Sequence, residues 1–396
     1  MEKARKVNPV PLNWEHVFKR SKVYNSQPVW KLYTFGFLSK SLDRSDNNHI
    51  LLQRVEMIDK NCKNLSSSDQ KVRFMQKHNI FNTGYALIMI IFGCNKTVDY
   101  PNRIIDEIPI NSPGCVAMIP DSSYLYVTSV NDVSVIQTSN NQVIATIPVS
   151  ASPFDIAVSS YSDFVYVIST SGQVSVIRVS DHTIVDTITV GSDPGGITIL
   201  PDGEYIYVTK YSSNSVLVIR SSDDSIITTI PVSGNAGKII SSPNSEYVYA
   251  VIGEPDNQVV VIRTSDNTII DTVFLGNTSP NNYNAPYEIT VLPNGEYLYV
   301  TTSGGVAFIR TADNKLIGFV SGCGLMPQGL ASLPNGRYVY TANWESNNIS
   351  IIQASDNTVV ETIQAHGLLQ DVAVHPNGEF VYVTNTGNSK ILIIGY

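Results

Sequence analysis

The chain has 396 residues, 43% apolar and only 15% charged, and is rich in Ser, Thr, Asn, Val, Ile and Tyr. That mixture suits half-buried strands joined by polar turns, around a sizeable core. The net charge of −8 conceals a step: residues 1–93 hold 15 Lys/Arg against 7 Asp/Glu, a local +8, and the other 303 residues hold 11 against 27, a local −16. An acidic body repels phosphate backbones and anionic lipid, which excludes nucleic acid as a partner and leaves membrane contact to an anchor.

The basic first stretch, residues 1–74, shows no period and no motif. It reads as an upstream extension that the native protein does not carry, or as a small basic domain with Trp14 and Trp30. The segment 75–93, "MQKHNIFNTGYALIMIIFG", has a short basic start and an apolar run around Tyr85 to Phe92. The run is shorter than the roughly 20 apolar residues of a membrane-spanning helix and suits the core of a secretion signal. Its ending, Ile91-Phe92-Gly93-Cys94, resembles the cleavage box of bacterial lipoproteins, which implies lipidation at Cys94 and a short linker over 94–100. The alternatives are an uncut anchor and a buried core segment.

From residue 101 onward one unit recurs. A Tyr-led triplet stands at Tyr126, Tyr166, Tyr207, Tyr249, Tyr299, Tyr340 and Tyr382, at spacings of 40 to 50 residues. A period near 40 with four strands is the size of a propeller blade. The unit parses as strand a ("GGITIL", 195–200), a turn ("PDG"), strand b ("EYIYVT"), a variable loop, strand c ("SVLVIR"), a turn ("SSDD" or "SDNT") and strand d ("SIITTIPV"). Pro and Gly set the first turn, and the Asp and Asn of the second bond nearby backbone groups. The stretch "RIIDEIPI" at 103–110 reads as a strand d and "KILIIGY" at 390–396 as a strand c. The predicted fold is therefore all-β: a seven-bladed β-propeller of four antiparallel strands per blade, closed when the strand near 103–110 joins the last three, which leaves no open sheet edge.

The "PDG/PNG-E-Y-x-Y-V-T" core and "VxVIRTSDNTIIDTI" resemble the YVTN β-propeller repeat family over residues 101–396. The resemblance implies a cell-surface or lipoprotein setting. It is related in outline to propeller lactonases and to haem-bearing propellers, although no Cys-x-x-Cys-His is present. Cys62, Cys94, Cys115 and Cys323 stand at no zinc or haem spacing. No cofactor and no metal is expected.

Function is expected on the face that carries the starts of strands a and the variable b–c loops. Aligning the seven starts puts Cys115, Asp155, Gly196, Lys238, Glu288, Gly329 and Asp371 at one position. Ring symmetry sends that position to the channel mouth. Asp155, Lys238, Glu288 and Asp371 could hold a polar ligand there, or simply bind water. Trp344, Tyr211, Tyr283, Phe154 and Tyr287 should rim the same face as anchors for a partner, or pack against neighbouring loops. A hydrolase would need a base in hydrogen-bond reach of its partners. Only His366 approaches the mouth, near Glu288 and Asp371, while His182 and His375 fall on the opposite face. The reading is an exported, lipid-anchored, monomeric propeller, at the cell surface or in the periplasm, that binds a surface polymer, carbohydrate or protein without catalysis. The alternatives are a lactonase-like hydrolase and a purely structural surface repeat protein.

Overall fold

A computed structural model describes residues 98–150, 152–276 and 285–396. The segments 1–74 and 75–93, Cys94 and Tyr283 lie outside the described residues.

Among the described residues, twenty-eight strands form seven four-stranded antiparallel sheets. Blade 1 spans Val116–Met118 to Gln142–Pro148, and blade 2 spans Pro153–Val158 to Thr183–Thr189. Blade 3 runs from Pro194–Ile199 to Ile226–Pro231, and blade 4 from Ala236–Ser241 to Thr268–Phe274. Blade 5 runs from Pro286–Val291 to Lys315–Val320, and blade 6 from Pro327–Ser332 to Thr358–Gln364. Blade 7 takes Leu369–Val374, Val381–Asn385 and Lys390–Gly395, and its outer strand is Arg103–Pro109. In register, Ile104 faces Ile394 and Glu107 faces Leu392. Each inner strand touches the inner strand of the next blade, and blade 7 touches blade 1, so the ring is closed as the sequence predicts.

The burial of each strand follows from its place in the ring. Strands b and c, sandwiched between neighbouring blades, are buried on both faces, as in Tyr205–Lys210 and Ser215–Arg220. Their near-continuous runs of Ile, Val and Tyr are what two-sided burial requires. Strand d forms the circumference, and in Thr183–Thr189 only Ile188 is buried. In the six continuous blades the c–d pairing shifts register near the end of strand c, for example between Val176 and Ile177. Such bulges add twist to the outer ribbon.

The turns need left-handed residues. Gly203, Gly295, Gly336 and Gly378 supply them after strand a in four blades, and Ser122, Ser162 and Ser245 in the other three. At the c–d turn the left-handed residue is Asn141, His182, Asp224, Asn267, Asn314 or Asn357. Asn and Asp tolerate that conformation better than other residues with side chains.

These turn residues also tie the blades together. The Tyr126 hydroxyl meets His182 Nδ1 of the next blade at 2.8 Å. Tyr207 donates to Asn267 Oδ1 at 2.7 Å and Tyr299 to Asn357 Oδ1 at 2.6 Å, each across a seam. Blade 7 has no c–d turn, because its outer strand comes from the other end of the ring. There the Tyr340 hydroxyl donates to the Pro101 carbonyl at 2.6 Å, so the lead-in to strand Arg103–Pro109 replaces the missing turn.

Candidate functional site

In blades 1, 5 and 7 the residue at the aligned channel position is held by the threonine of the Tyr-Val-Thr triplet. Thr128 Oγ1 accepts from the Cys115 amide at 2.8 Å, Thr301 Oγ1 from the Glu288 amide at 2.8 Å and Thr384 Oγ1 from the Asp371 amide at 2.9 Å. Two of the acids at that position then stitch blade to blade. Asp155 Oδ2 accepts from the Ile197 amide of blade 3 and Asp371 Oδ2 from the Val116 amide of blade 1, both at 2.9 Å. The second of these bonds crosses the closing seam of the ring.

Lys238 brings the cluster together. Its Nζ lies 2.5 Å from Asp155 Oδ1, 3.3 Å from Glu288 Oε2 and 3.4 Å from Cys115 Sγ. The Lys238–Asp155 pair reaches from blade 4 to blade 2 across Gly196 of blade 3. A Cβ on Gly196 would stand 3.0 Å from Lys238 Cα and 3.2 Å from Asp155 Oδ2, so the bare glycine keeps the path open. The Cys115 thiol donates to the Phe154 carbonyl at 2.8 Å. Cys115 and Cys323 are both free thiols.

Three carboxylates around one ammonium leave an excess of negative charge in a buried place, and the titrations follow from that. Burial raises Glu288 to about 8; Lys238 opposes the rise, and Asp371 and Asp155 add to it. Burial raises Asp371 as well, against the pull of Lys238 and of the Val116 and Val372 amides. For Lys238, burial disfavours the charge, but Asp155, Cys115 and the other carboxylates outweigh it and hold the pKa well above the lysine range. Burial keeps Cys115 a thiol. Burial thus favours a protonated carboxyl at Glu288 and a thiol at Cys115, while the surrounding carboxylates favour the ammonium form of Lys238. Lys238 and Glu288 keep 19% and 17% of their side-chain surface exposed, so the cluster remains in contact with the channel.

The structure brings together all four charged candidates, Asp155, Lys238, Glu288 and Asp371, with Cys115 as a fifth member. It does not draw His366 into the group. His366 is exposed at a left-handed position of the d–a loop. Its carbonyl accepts from Asn385 Nδ2 at 2.8 Å and Asn388 Nδ2 at 2.6 Å, and no hydrogen bond among the described residues joins its ring to Glu288 or Asp371. His182 bonds Tyr126, and His375 Nδ1 accepts from the Asn377 amide at 3.3 Å, both at the short turns.

Among the described rim aromatics, Tyr211 is 49% exposed. It lines a cleft of about 210 Å³ between blades 2 and 3 with Thr170, Asp193, Pro194 and Ser212. The Tyr211 amide donates to the Asp193 carbonyl at 2.8 Å, and below them Lys210 Nζ donates to the Val190 carbonyl at 2.8 Å, which holds the loop pair still. Trp344, Phe154 and Tyr287 are half-buried. Phe154 packs on the core shared by blades 2 and 3. The Trp344 amide donates to the Met326 carbonyl at 2.9 Å, and the residue before Met326, Leu325, is 62% exposed. Sequence reasoning missed Asp193 and Ser212. The one signal for them is a polar residue before Pro194 and another after Tyr211 on the variable loops.

Two family models match parts of the chain. One, described as a family of unknown function (DUF6528), covers residues 214–389, and the other, the cytochrome D1 heme domain, covers residues 121–275. Each spans less than half of the chain. No curated protein matches. Among solved structures, a hydrazine synthase chain of Kuenenia stuttgartiensis is similar with a TM-score of 0.67 at 19% identity, over 76% of this chain and 98% of that one. The Cps50 (Swd1) β-propeller domain of Myceliophteria thermophila is similar with a TM-score of 0.64 at 12% identity, over 75% of this chain and 100% of that domain. These likenesses establish the propeller fold. A haem needs an apolar slot and an axial ligand for its iron, from histidine, cysteine, methionine or tyrosine. Here the aligned channel position carries mutually paired ionic groups, the Cys115 thiol is bonded to a carbonyl, and no hydrogen bond among the described residues brings a histidine to them. These residues do not fit a haem.

Proposed function

We propose that the chain is a non-catalytic binding or adhesion module that meets its partner with the loop-rich face, on the outer side of a membrane to which lipid at Cys94 holds it. The observation that carries the binding reading is the cleft beside Tyr211. An exposed ring, with Asp193 and Ser212 lining the same cleft on pinned loops, is a preformed contact for a polar partner such as a surface carbohydrate or a protein loop. The channel cluster supports the non-catalytic part, since its acids and its ammonium are engaged with one another. The likeness of the repeats to the YVTN family, and the lipoprotein-like Ile91-Phe92-Gly93-Cys94, support the surface setting.

Trp344→Ala combined with Tyr211→Ala is expected to weaken cell adhesion or ligand pull-down at least tenfold with an unchanged melting temperature. Undiminished binding would remove the reading. Cys94→Ser is expected to move the protein from the membrane to the soluble fraction, and membrane association that persists would remove the anchor.

One observation favours a structural surface role as a second reading. The outer strands expose apolar pairs around the circumference: Val143/Ile144, Ile184/Val185, Ile226/Ile227 and Ile269/Ile270. Such a belt suits lateral packing in an array, in which the double substitution would change nothing.

A further inference from the structure

A cavity of about 430 Å³ opens on the face of the short turns, at the seam of blades 5 and 6. Its walls include Asn294, Glu296 and Tyr297 of blade 5 and Arg337, Ser355 and Asn357 of blade 6. Its volume lies within the ~300–1,000 Å³ usual for small-ligand sites.

At two other seams an aromatic ring covers the matching position, whereas between blades 3 and 4 and between blades 4 and 5 the turn residue is Asn, as it is here. Between blades 1 and 2, Tyr124 occupies the position of Tyr297, and the ring of His182 covers it edge-on, with centroids 4.7 Å apart. Between blades 6 and 7, Tyr338 holds that position, and the ring of Tyr100 covers it at 4.4 Å. The residue before Tyr100 adds the polar half of the contact: Asp99 takes the Tyr338 hydroxyl at 2.7 Å and forms an ion pair with Arg337.

At the seam of blades 5 and 6 the turn residue is Asn357. It follows Ser-Asp as His182 does and has nearly the same left-handed φ, 56° against 55°. Its short side chain is directed to Tyr299, from which it accepts at 2.6 Å. Tyr297 is left with no ring against it and its hydroxyl with no hydrogen bond, among the described residues. The cavity carries one acid and one arginine, Glu296 and Arg337. Glu296 stands where blade 6 has Arg337, and its carboxylate accepts only from Asn294, at 2.9 Å. The nearby cations are already held, Arg337 by Asp99 and Arg310 by Asp313 at 2.7 Å.

We propose that this cavity binds an aromatic ring that carries a cationic group, with the ring against Tyr297 and the cation at Glu296. A free aromatic amine and a lysine–aromatic pair in a polypeptide share this chemistry. The site lies away from the loop-rich face, so it stands or falls independently of the adhesion reading.

The test is a calorimetric or NMR titration of the full chain with tyramine, phenol, hydroxyphenylacetate and the capped dipeptide lysyl-tyrosinamide. Tyramine is expected to bind, phenol several-fold more weakly, and hydroxyphenylacetate more weakly still. Tyr297→Ala should abolish tyramine binding, and Glu296→Gln should reduce it to the level of phenol. Asn357→His installs the residue that covers Tyr124 at the first seam; it should block tyramine with no loss of melting temperature. If that variant fails to fold, the Tyr297 and Glu296 variants still decide. Tighter binding of the dipeptide assigns the polypeptide source, and tighter binding of tyramine the free amine. No saturation by tyramine or the dipeptide, equal binding of the three small probes, or tyramine binding that survives Tyr297→Ala overturns the proposal.

Discussion

At the seams, the tyrosines of blades 1, 3 and 5 repeat one contact: each hydroxyl meets the left-handed turn residue of the next blade. In the channel, the third residue of the inner strand is Cys, Asp, Gly, Lys, Glu, Gly and Asp in turn, and the contacts cross from blade 4 to blades 1, 2 and 5. The seam bond is local to a pair of blades, so every copy of the repeat can carry it. The channel contacts of Lys238 with Asp155 and Cys115 reach past the adjacent blade, and the bond from Val116 to Asp371 forms only once blade 7 meets blade 1. One region therefore stabilises the array piece by piece, and the other stabilises the circle as a whole.

The largest expected effect comes from removing the channel's ammonium. Lys238→Met leaves three buried carboxylates without their counter-charge and should cost about 3–5 kcal/mol in urea unfolding, as for other broken buried pairs. The loss should be smaller at pH 5 than at pH 8, because raised carboxylates such as Glu288 and Asp371 take up protons as pH falls. A loss below about 1 kcal/mol at pH 8 would show that the circle does not depend on this cluster.

A seam bond is one of several, so breaking it should cost less. Tyr299→Phe removes the donor to Asn357 and is expected to lower stability by about 1 kcal/mol. Equal losses from Tyr299→Phe and Lys238→Met would erase the distinction between the two regions.

The smallest effect is expected where a seam departs from its own pattern. Asn141 donates to Asp106 at 3.2 Å and Asn314 to Asp271 at 3.1 Å, each across a seam. Between blades 2 and 3 the turn residue is Asp224 and it faces Asp186, so two acids stand where the others have an amide and an acid. Burial, then the hydrogen bond to Asp186 and its charge, raise Asp224 from 3.8 to about 6. A carboxyl raised in the folded state stabilises fully below its unfolded pKa, and that contribution is lost as pH rises through the folded one. The wild type should thus lose a little stability between pH 3.8 and about 6. Asp224→Asn keeps a donor at every pH. It should match the wild type near pH 4 and melt slightly higher at pH 7.5, which a thermal scan at the two pH values checks.

Much of the scaffold was legible because each blade buries the same pattern. Strand c of blade 3 is predicted over "SVLVIR" and found at Ser215–Arg220. The closing partner near residues 103–110 could be named because an outer strand stood alone at one end and an inner trio at the other. The roles of individual residues were less legible. The Asp of the c–d turn bonds locally, as read from the sequence: Asp181 accepts from Thr183 Oγ1 at 2.8 Å. The Asn beside it serves the neighbouring blade instead, which no local pattern reveals. The four channel charges were recognised as one ring, yet their pairing depends on the width of that ring and on the gap at Gly196. The cavity at Tyr297 was invisible because it depends on what lies over that ring: Asn357 leaves it bare, whereas His182 and Tyr100 cover the matching tyrosines at two other seams.

The outermost ribbon of blade 7, Arg103–Pro109, also sets the order in which the molecule can mature. It is translated before every other strand of the ring, yet its partner Lys390–Gly395 is translated last. While the ribosome works through the blades between them, that early segment has no native strand to pair with and is open to pairing with a foreign chain. Its run "RIIDEIP" carries Arg103, Asp106 and Glu107 amid the apolar residues, charges that discourage such encounters during the wait.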